Sequence, residues 1–164
     1  MIKPKNILLI NDDKDYQQAF TKATKDIDYS ICVCSATNGV DALMKLNKVI
    51  VHPDILFMNI NMSGMNCFEF LAQLKQRIRF KNIPIVILVA SNNPSDAQLA
   101  QKFGASILNT DFSESFLFKK NLENMLHFYF PPIINSQESY KHIKIPLLPA
   151  GAEAHIISLL DSLS

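Results

Sequence analysis

Short apolar runs recur between Asn6 and Phe128, and each is followed by a stretch whose apolar residues fall three or four apart. Asn6–Ile10 (NILLI) is the first such run and predicts a strand. Asp13–Lys25 carries Tyr16, Ala19, Phe20 and Ala23 at helical spacing. Ser30–Ala36 (SICVCSA) predicts a second strand, Asn38-Gly39 a turn, and Val40, Leu43, Met44 and Leu46 a second helix with one apolar stripe. Pro53-Asp54 opens a third strand, ILFM, which ends on Asn59. Cys67–Ile78 reads as helix, with Phe68, Leu71, Leu74 and Ile78 in register. Pro84–Ala90 (PIVILVA) is a fourth strand, its proline placed where no ladder donor is lost. Pro94-Ser95-Asp96 predicts a helix start and Gly104 its stop, after Phe103. Ser106–Asn109 is a short fifth strand, and Ser113 to about Phe128 a fifth helix.

Strands that alternate with helices through short turns predict a parallel sheet with helices on both faces. Near-continuous apolar strands fit burial on both faces. In such α/β sheets chemistry sits at the carboxyl ends of the strands. Those ends read Asn11-Asp12-Asp13, Asn59, Val89 to Asn92 and Asn109 to Asp111.

Composition narrows the function classes. The chain has 164 residues, 48% hydrophobic and 19% charged, with a formal net charge of +1, so neither a nucleic-acid surface nor a strongly steered partner is implied. No run is long enough to span a membrane. The run Ile7–Ile10 is too short for a signal peptide and meets Asn11-Asp12-Asp13 at once, so a cytoplasmic location is expected. Cys32, Cys34 and Cys67 form no CxxC pair and are expected to pack as small apolar groups. His52, His127, His142 and His155 have no metal-ligand spacing. HExxH, GxSxG, P-loop and Rossmann glycine patterns are all missing.

Three stretches together, KNILLINDDKDYQQAF, PDILFMNINMSGMNCFEFL and IPIVILVASNNPSDAQLAQKFGAS, resemble the CheY-like receiver domain of two-component response regulators. The resemblance covers residues 4–128 and leaves 129–164 as a C-terminal extension. It implies a flavodoxin-like, doubly wound five-stranded parallel sheet in the order 2-1-3-4-5. In that family an aspartate ending the third strand accepts a phosphoryl group from a histidine kinase. Two acidic residues after the first strand hold magnesium, and a Thr/Ser and a lysine bind the phosphoryl oxygens. Carried across position by position, the phosphoacceptor falls on Asn59, the acidic pair on Asn11 and Asp12, and the Thr/Ser on Val89. The lysine falls on Thr110, its following proline on Asp111, and the aromatic switch residue on Ile107. The loop's usual proline and second glycine fall on Ser63 and Cys67.

The departures share one physical direction. An amide delocalises its nitrogen lone pair and is a very poor nucleophile. Magnesium favours carboxylate oxygens, and this pocket's formal charge is about −1 where the family has about −3. Any ion is therefore expected to bind weakly, through Asp12, Asn59 and Asn61, and no other cofactor is expected. With fewer carboxylates to pair it, a buried lysine would be costly, and Thr110 removes that problem. Val89 keeps a threonine's shape but donates no hydrogen bond, and Ile107 cannot act as a reporting ring.

The expected function is signalling by protein contact, independent of phosphorylation and without enzyme activity. The partner is expected to be a histidine kinase or another signalling protein, and neither nucleic acid nor membrane. A homodimer is open, through the face of helix four, strand five and helix five, near Ile107 and Phe112, or through the tail. Asn59 either caps a turn, bonded to Asn11 or Asp12, or fixes one conformation of its loop. Asp12 is either a weak cation ligand or a loop acceptor, and Asp13 is expected to cap the first helix. The alternatives are a receiver phosphorylated at Asp12 or Asp13 and, less favoured, a flavin-binding or enzymatic flavodoxin-like protein. The acidic INDDKDYQ loop argues against a flavin phosphate. Pro131-Pro132 ends the helical region. Beyond it, Ile156, Ile157, Leu159, Leu160 and Leu163 form a broad apolar helical face, and HIKIPLL is a candidate extended segment for a sheet edge.

Overall fold

The computed structural model describes residues 5–48, 52–90, 93–110 and 115–131. Five strands alternate with five helices: β1 (Lys5–Ile10), α1 (Lys14–Ile27), β2 (Ile31–Ala36), α2 (Gly39–Lys48), β3 (Ile55–Asn59), α3 (Cys67–Lys75), β4 (Ile85–Val89), α4 (Pro94–Lys102), β5 (Ser106–Asn109) and α5 (Ser115–Tyr129). All strand pairs are parallel, in the order β2-β1-β3-β4-β5. The flavodoxin-like order expected from the sequence is the observed one.

The two-residue period of the strands builds two cores. Leu8, Ile10, Leu56, Met58, Ile85, Ile87 and Val89 pack with α2, α3 and α4, through Leu43, Leu46, Phe70, Leu71 and Ala100. Their alternates Ile7, Leu9, Ile55, Phe57, Val86 and Leu88 pack with α1 and α5, through Phe20, Phe118, Leu122 and Leu126. Phe20 meets Phe57 edge-on at 5.1 Å. Losing the Phe20 ring should cost about 3–5 kcal/mol.

Register is pinned at the start of β3. The Asp54 carboxylate accepts from Asn6 N–H at 2.8 Å while Asp54 N–H donates to the Asn6 carbonyl at 2.7 Å. This aligns Ile10 with Met58, so the carboxyl ends of β1 and β3 finish side by side. The chain leaves β1 towards β2 and returns to β3 on the other side, which makes the β1–β3 junction the switch point of the sheet.

Several elements differ in detail from the sequence expectation. α3 stops at Lys75, and Ile78 lies exposed beyond it rather than in register with Leu74. In α2, Leu43 and Leu46 are buried but Val40 and Met44 are exposed, because the helix rests on the sheet along one narrow line. Asn38 caps α2, accepting from Asp41 N–H at 2.9 Å, and α4 is capped by Asn93 with Pro94 in its first turn. Cys32 and Cys34 are exposed, not packed, because β2 is an edge strand, while Cys67 is buried. Ser91, Asn92, Asp111, Phe112, Ser113 and the tail from Pro132, with His142 and His155, lie outside the described residues.

Candidate functional site

The described part of the site is assembled from the loops after β1 and β3 and the carboxyl ends of β4 and β5. Asn11 follows β1 and is 2% exposed. Its N–H donates to the Ala36 carbonyl at 2.9 Å, its carbonyl accepts from Gln17 Nε2 at 2.6 Å, and its Oδ1 accepts from Asp13 N–H at 2.9 Å. A buried amide so held is a fixed scaffold. Asp13 in turn caps α1, accepting from Asp15 N–H at 2.8 Å and Tyr16 N–H at 3.1 Å. This cap, worth about 1 kcal/mol, meets the expectation for Asp13.

Asp12 is exposed and reaches across to the loop after β3. Its Oδ2 accepts from Ser63 N–H at 3.3 Å and Ser63 Oγ–H at 3.1 Å. Ser63 stands where the resemblance places a proline, which has neither donor. Asn59 ends β3, half-buried, and its Oδ1 accepts from Asn61 N–H at 3.3 Å. The expected bond from Asn59 to Asn11 or Asp12 is not the one observed: the oxygen closes on its own loop, through Asn61 N–H. Gly64, at φ 82°, lets the same loop reverse before Asn66 starts α3 in a reciprocal cap with Glu69.

Beyond β3 along the sheet, Val89 is buried and belongs to the core beside Ile85 and Ile87. It offers the cleft only its carbonyl, and Thr110 uses that carbonyl twice, through its N–H at 2.8 Å and its hydroxyl at 3.1 Å. Ile107 pairs with Ile87 and packs half-buried against the core under α3 and α4.

Tyr16 is the site residue that sequence reasoning missed, because it counted only as one position in an apolar stripe. The α1 cap fixes its backbone, its ring stacks on Phe20 at 6.3 Å, and its side chain contacts Thr110. Burial holds the phenol well above its ordinary pKa, partly offset by the Thr110 contact, so the hydroxyl stays neutral. The signal available in the sequence was a polar-tipped aromatic in the first turn after a strand end.

The structure thus draws Asn11, Asp12, Asn59, Asn61 and Ser63 into one pair of linked loops, and Tyr16, Val89 and Thr110 into another cluster. Both Asn11 oxygens, Asp12 Oδ2, Asn59 Oδ1 and the Val89 carbonyl oxygen each already accept a hydrogen bond from the chain itself. Among the described residues, no helix is long and apolar enough to cross a membrane.

Comparison with known proteins agrees with this geometry. The response regulator receiver domain profile matches residues 7–120. Curated relatives include Protein PilG of Pseudomonas aeruginosa, 27% identical over 90 residues, with 55% of this chain and 64% of PilG covered. Response regulator Rcp1 of Synechocystis is 28% identical over 100 residues, covering 57% of this chain and 67% of Rcp1. The sensor histidine kinase CheAY of Helicobacter pylori is 26% identical over 90 residues, which are 55% of this chain but only 11% of CheAY. Among solved structures, the phosphorylated cyanobacterial phytochrome response regulator RcpA superposes with a TM-score of 0.69 at 20% identity, covering 77% of this chain and 94% of RcpA. The Mn(2+)-bound form of Rcp1 gives 0.68 at 23% identity, covering 80% and 98%. A five-stranded sheet in this order, a site at its β1–β3 switch point and a profile match over most of the described residues lead to one assignment: the chain belongs to the response regulator receiver domain family of two-component signalling.

Proposed function

We propose that this receiver domain signals by protein–protein contact without being phosphorylated, as a pseudo-receiver. The observation that carries the reading is Asn59: an amide stands at the carboxyl end of β3, its oxygen turned onto Asn61 N–H. It cannot form the acyl phosphate that an aspartate there would form. At the neighbouring strand ends, Thr110 offers no cation and buried Val89 no hydroxyl to hold phosphoryl oxygens. Magnesium binding is proposed to be weak, since Asp12 is the one carboxylate among Asp12, Asn59 and Asn61, and its Oδ2 already accepts from Ser63. No enzymatic reaction is assigned.

The proposed partner is a signalling protein of the kinase or regulator type, met on the face of α4, β5 and α5 in the cytoplasm. Lys119 of α5 pairs with Asp26 of α1 at 3.5 Å. Leu117 and Phe128 lie on the opposite flank of α5, away from α1, and both are exposed, as is Leu99 of α4. A second copy docking on the same face is the homodimer form of this reading.

The test is intact-protein mass spectrometry after incubation with acetyl phosphate and magnesium. The wild-type chain is expected to keep its mass. A stoichiometric, hydroxylamine-labile phosphoryl adduct would overturn the reading. Loss of that adduct in Asp12→Ala or Asp13→Ala would then assign it to one of those carboxylates.

A further inference from the structure

We propose that Cys32 and Cys34 clamp two copies of this chain together, antiparallel along their β2 edges, through two symmetric disulfides formed under oxidation. The inference is independent of whether Asn59 is silent.

β2 is an edge of the sheet, and both thiols are exposed on it. Two residues apart on a strand, they share one face. The backbone directions follow from one bond: Asn11 N–H donates to the Ala36 carbonyl, so Ala36 directs its polar groups at β1. By alternation Cys34 and Cys32 do the same, while Val33 and Ser35 direct theirs outward. Lys45 Nζ agrees, reaching the Ser35 carbonyl at 2.6 Å.

A two-fold axis at Val33 therefore pairs Val33 with its own copy as a hydrogen-bonded pair. The flanking pairs, Cys32 with Cys34 of the second copy and the reverse, are then non-hydrogen-bonded pairs, with Cα atoms about 4.5 Å apart. That separation lies inside the disulfide range of about 4.4–6.8 Å. Within one chain the two Cβ atoms point the same way roughly 6.6 Å apart, against about 3.5–4.5 Å needed, so the pair does not bridge internally. This register is the one that sets both cysteines of each copy opposite a cysteine.

Without oxidant the contact is weak. Ile31 N–H already donates to the Asp28 carbonyl at 3.1 Å, and Lys45 holds the Ser35 carbonyl, so few edge groups are left to pair. The covalent step balances with an oxidant of the peroxide class. A thiolate attacks the O–O bond, giving a sulfenic acid and water, and the facing thiol then displaces the sulfenic hydroxyl as a second water. Two thiols and one peroxide give one disulfide and two waters, so the dimer consumes two peroxides. Cys67 stays out of the exchange, since it is buried and burial pushes its thiol up to about 12.

The test treats the full chain with hydrogen peroxide and follows it by non-reducing electrophoresis and intact mass. Wild type is expected to form a thiol-reversible dimer. Cys32→Ser alone and Cys34→Ser alone are expected to crosslink at least tenfold less, because like cysteines sit on a diagonal of roughly 7–8 Å. Mixing the two variants restores the facing pair and is expected to restore a crosslinked heterodimer. Absence of a wild-type dimer, self-crosslinking of either variant at the wild-type level, or failure of the mixture to crosslink would each overturn the proposal.

Discussion

Thr110 sends both its donors to one acceptor: its N–H and its hydroxyl meet the Val89 carbonyl at 2.8 and 3.1 Å. The hydroxyl is thereby turned onto the β4 backbone, and Tyr16 contacts the same side chain from α1. On the pseudo-receiver reading, a carboxylate placed at Asn59 supplies only one of the several groups that phosphoryl transfer needs. Asn59→Asp alone is expected to incorporate less than about a tenth of an equivalent of phosphoryl from acetyl phosphate, because catalysis here rests on electrostatic stabilisation by positioned cations and donors. Adding Val89→Thr and Thr110→Lys should raise incorporation by at least tenfold, measured by intact mass. Full incorporation by the single variant would show that β4 and β5 are dispensable.

The bond from Asp12 to Ser63 joins two loops 51 residues apart in sequence. A charge-assisted pair on an exposed carboxylate is worth about 1 kcal/mol. Ser63→Pro, which installs the residue the family pattern favours, removes both donors. It should leave the fold intact while speeding amide exchange at Asn61 and Met62 about fivefold, read by hydrogen–deuterium exchange. Asp12→Ala should reproduce the effect at Asn61 and Met62 and also speed exchange of the Ser63 amide, which loses its acceptor. Unchanged exchange in both would mean that the loop is held by Asn59 and the α3 cap alone.

How much of this was legible in the sequence depends on the range of the cause. Ile7–Ile10 of β1, Ile55–Met58 of β3 and all of β4 are continuous apolar runs, and their burial on both faces follows from that pattern. The places of Asn11, Asp12 and Asn59 followed from strand ends alone. What the pattern did not carry was anything set by a partner distant in the chain. Tyr16 reads as stripe until β5 brings Thr110 beside it. Cys32 and Cys34 read as core until β2 turns out to be an edge strand. Ile78 keeps helical spacing with Leu74, yet α3 has already ended at Lys75. The Ser63 bond depends on two loops meeting, which residue spacing does not reveal.

Gly39 begins α2 with almost no room. A methyl group there would lie 2.9 Å from Met65 Sδ and 3.2 Å from both Met65 Cγ and Phe70 Cβ. The Met65 thioether can swing aside, but Phe70 is fully buried on α3 and its Cβ moves only with the helix. Gly39→Ala gains helix propensity yet overpacks this contact, so a net loss of about 1–2 kcal/mol is expected in urea unfolding. Met65→Ala in the same chain should recover only part of that loss. Full recovery would place the strain on the thioether instead.

Asp28 links the end of α1 to β1 and gives the fold an acid-sensitive contact. Lys5 Nζ lies 2.6 Å from its Oδ2, and Ser30 donates to Oδ1 through its hydroxyl at 2.7 Å and its N–H at 2.8 Å. The Lys5 hydrogen bond first, then those from Ser30, lower the Asp28 carboxyl to about 2. The folded pKa lies below the unfolded value of about 3.9, so the contribution is complete above pH ~4 and is lost as pH falls from ~4 towards ~2. The carboxylate is partly open to solvent, which limits the contribution to about 1 kcal/mol or less. Asp28→Asn should therefore lower Tm by no more than roughly 2–4 °C at pH 7. The gap to wild type should shrink through the acid limb and vanish only below pH ~2. A gap that stays constant from pH 7 to pH 2, measured by calorimetry, would mean that Asp28 acts through hydrogen-bond geometry and not through its charge.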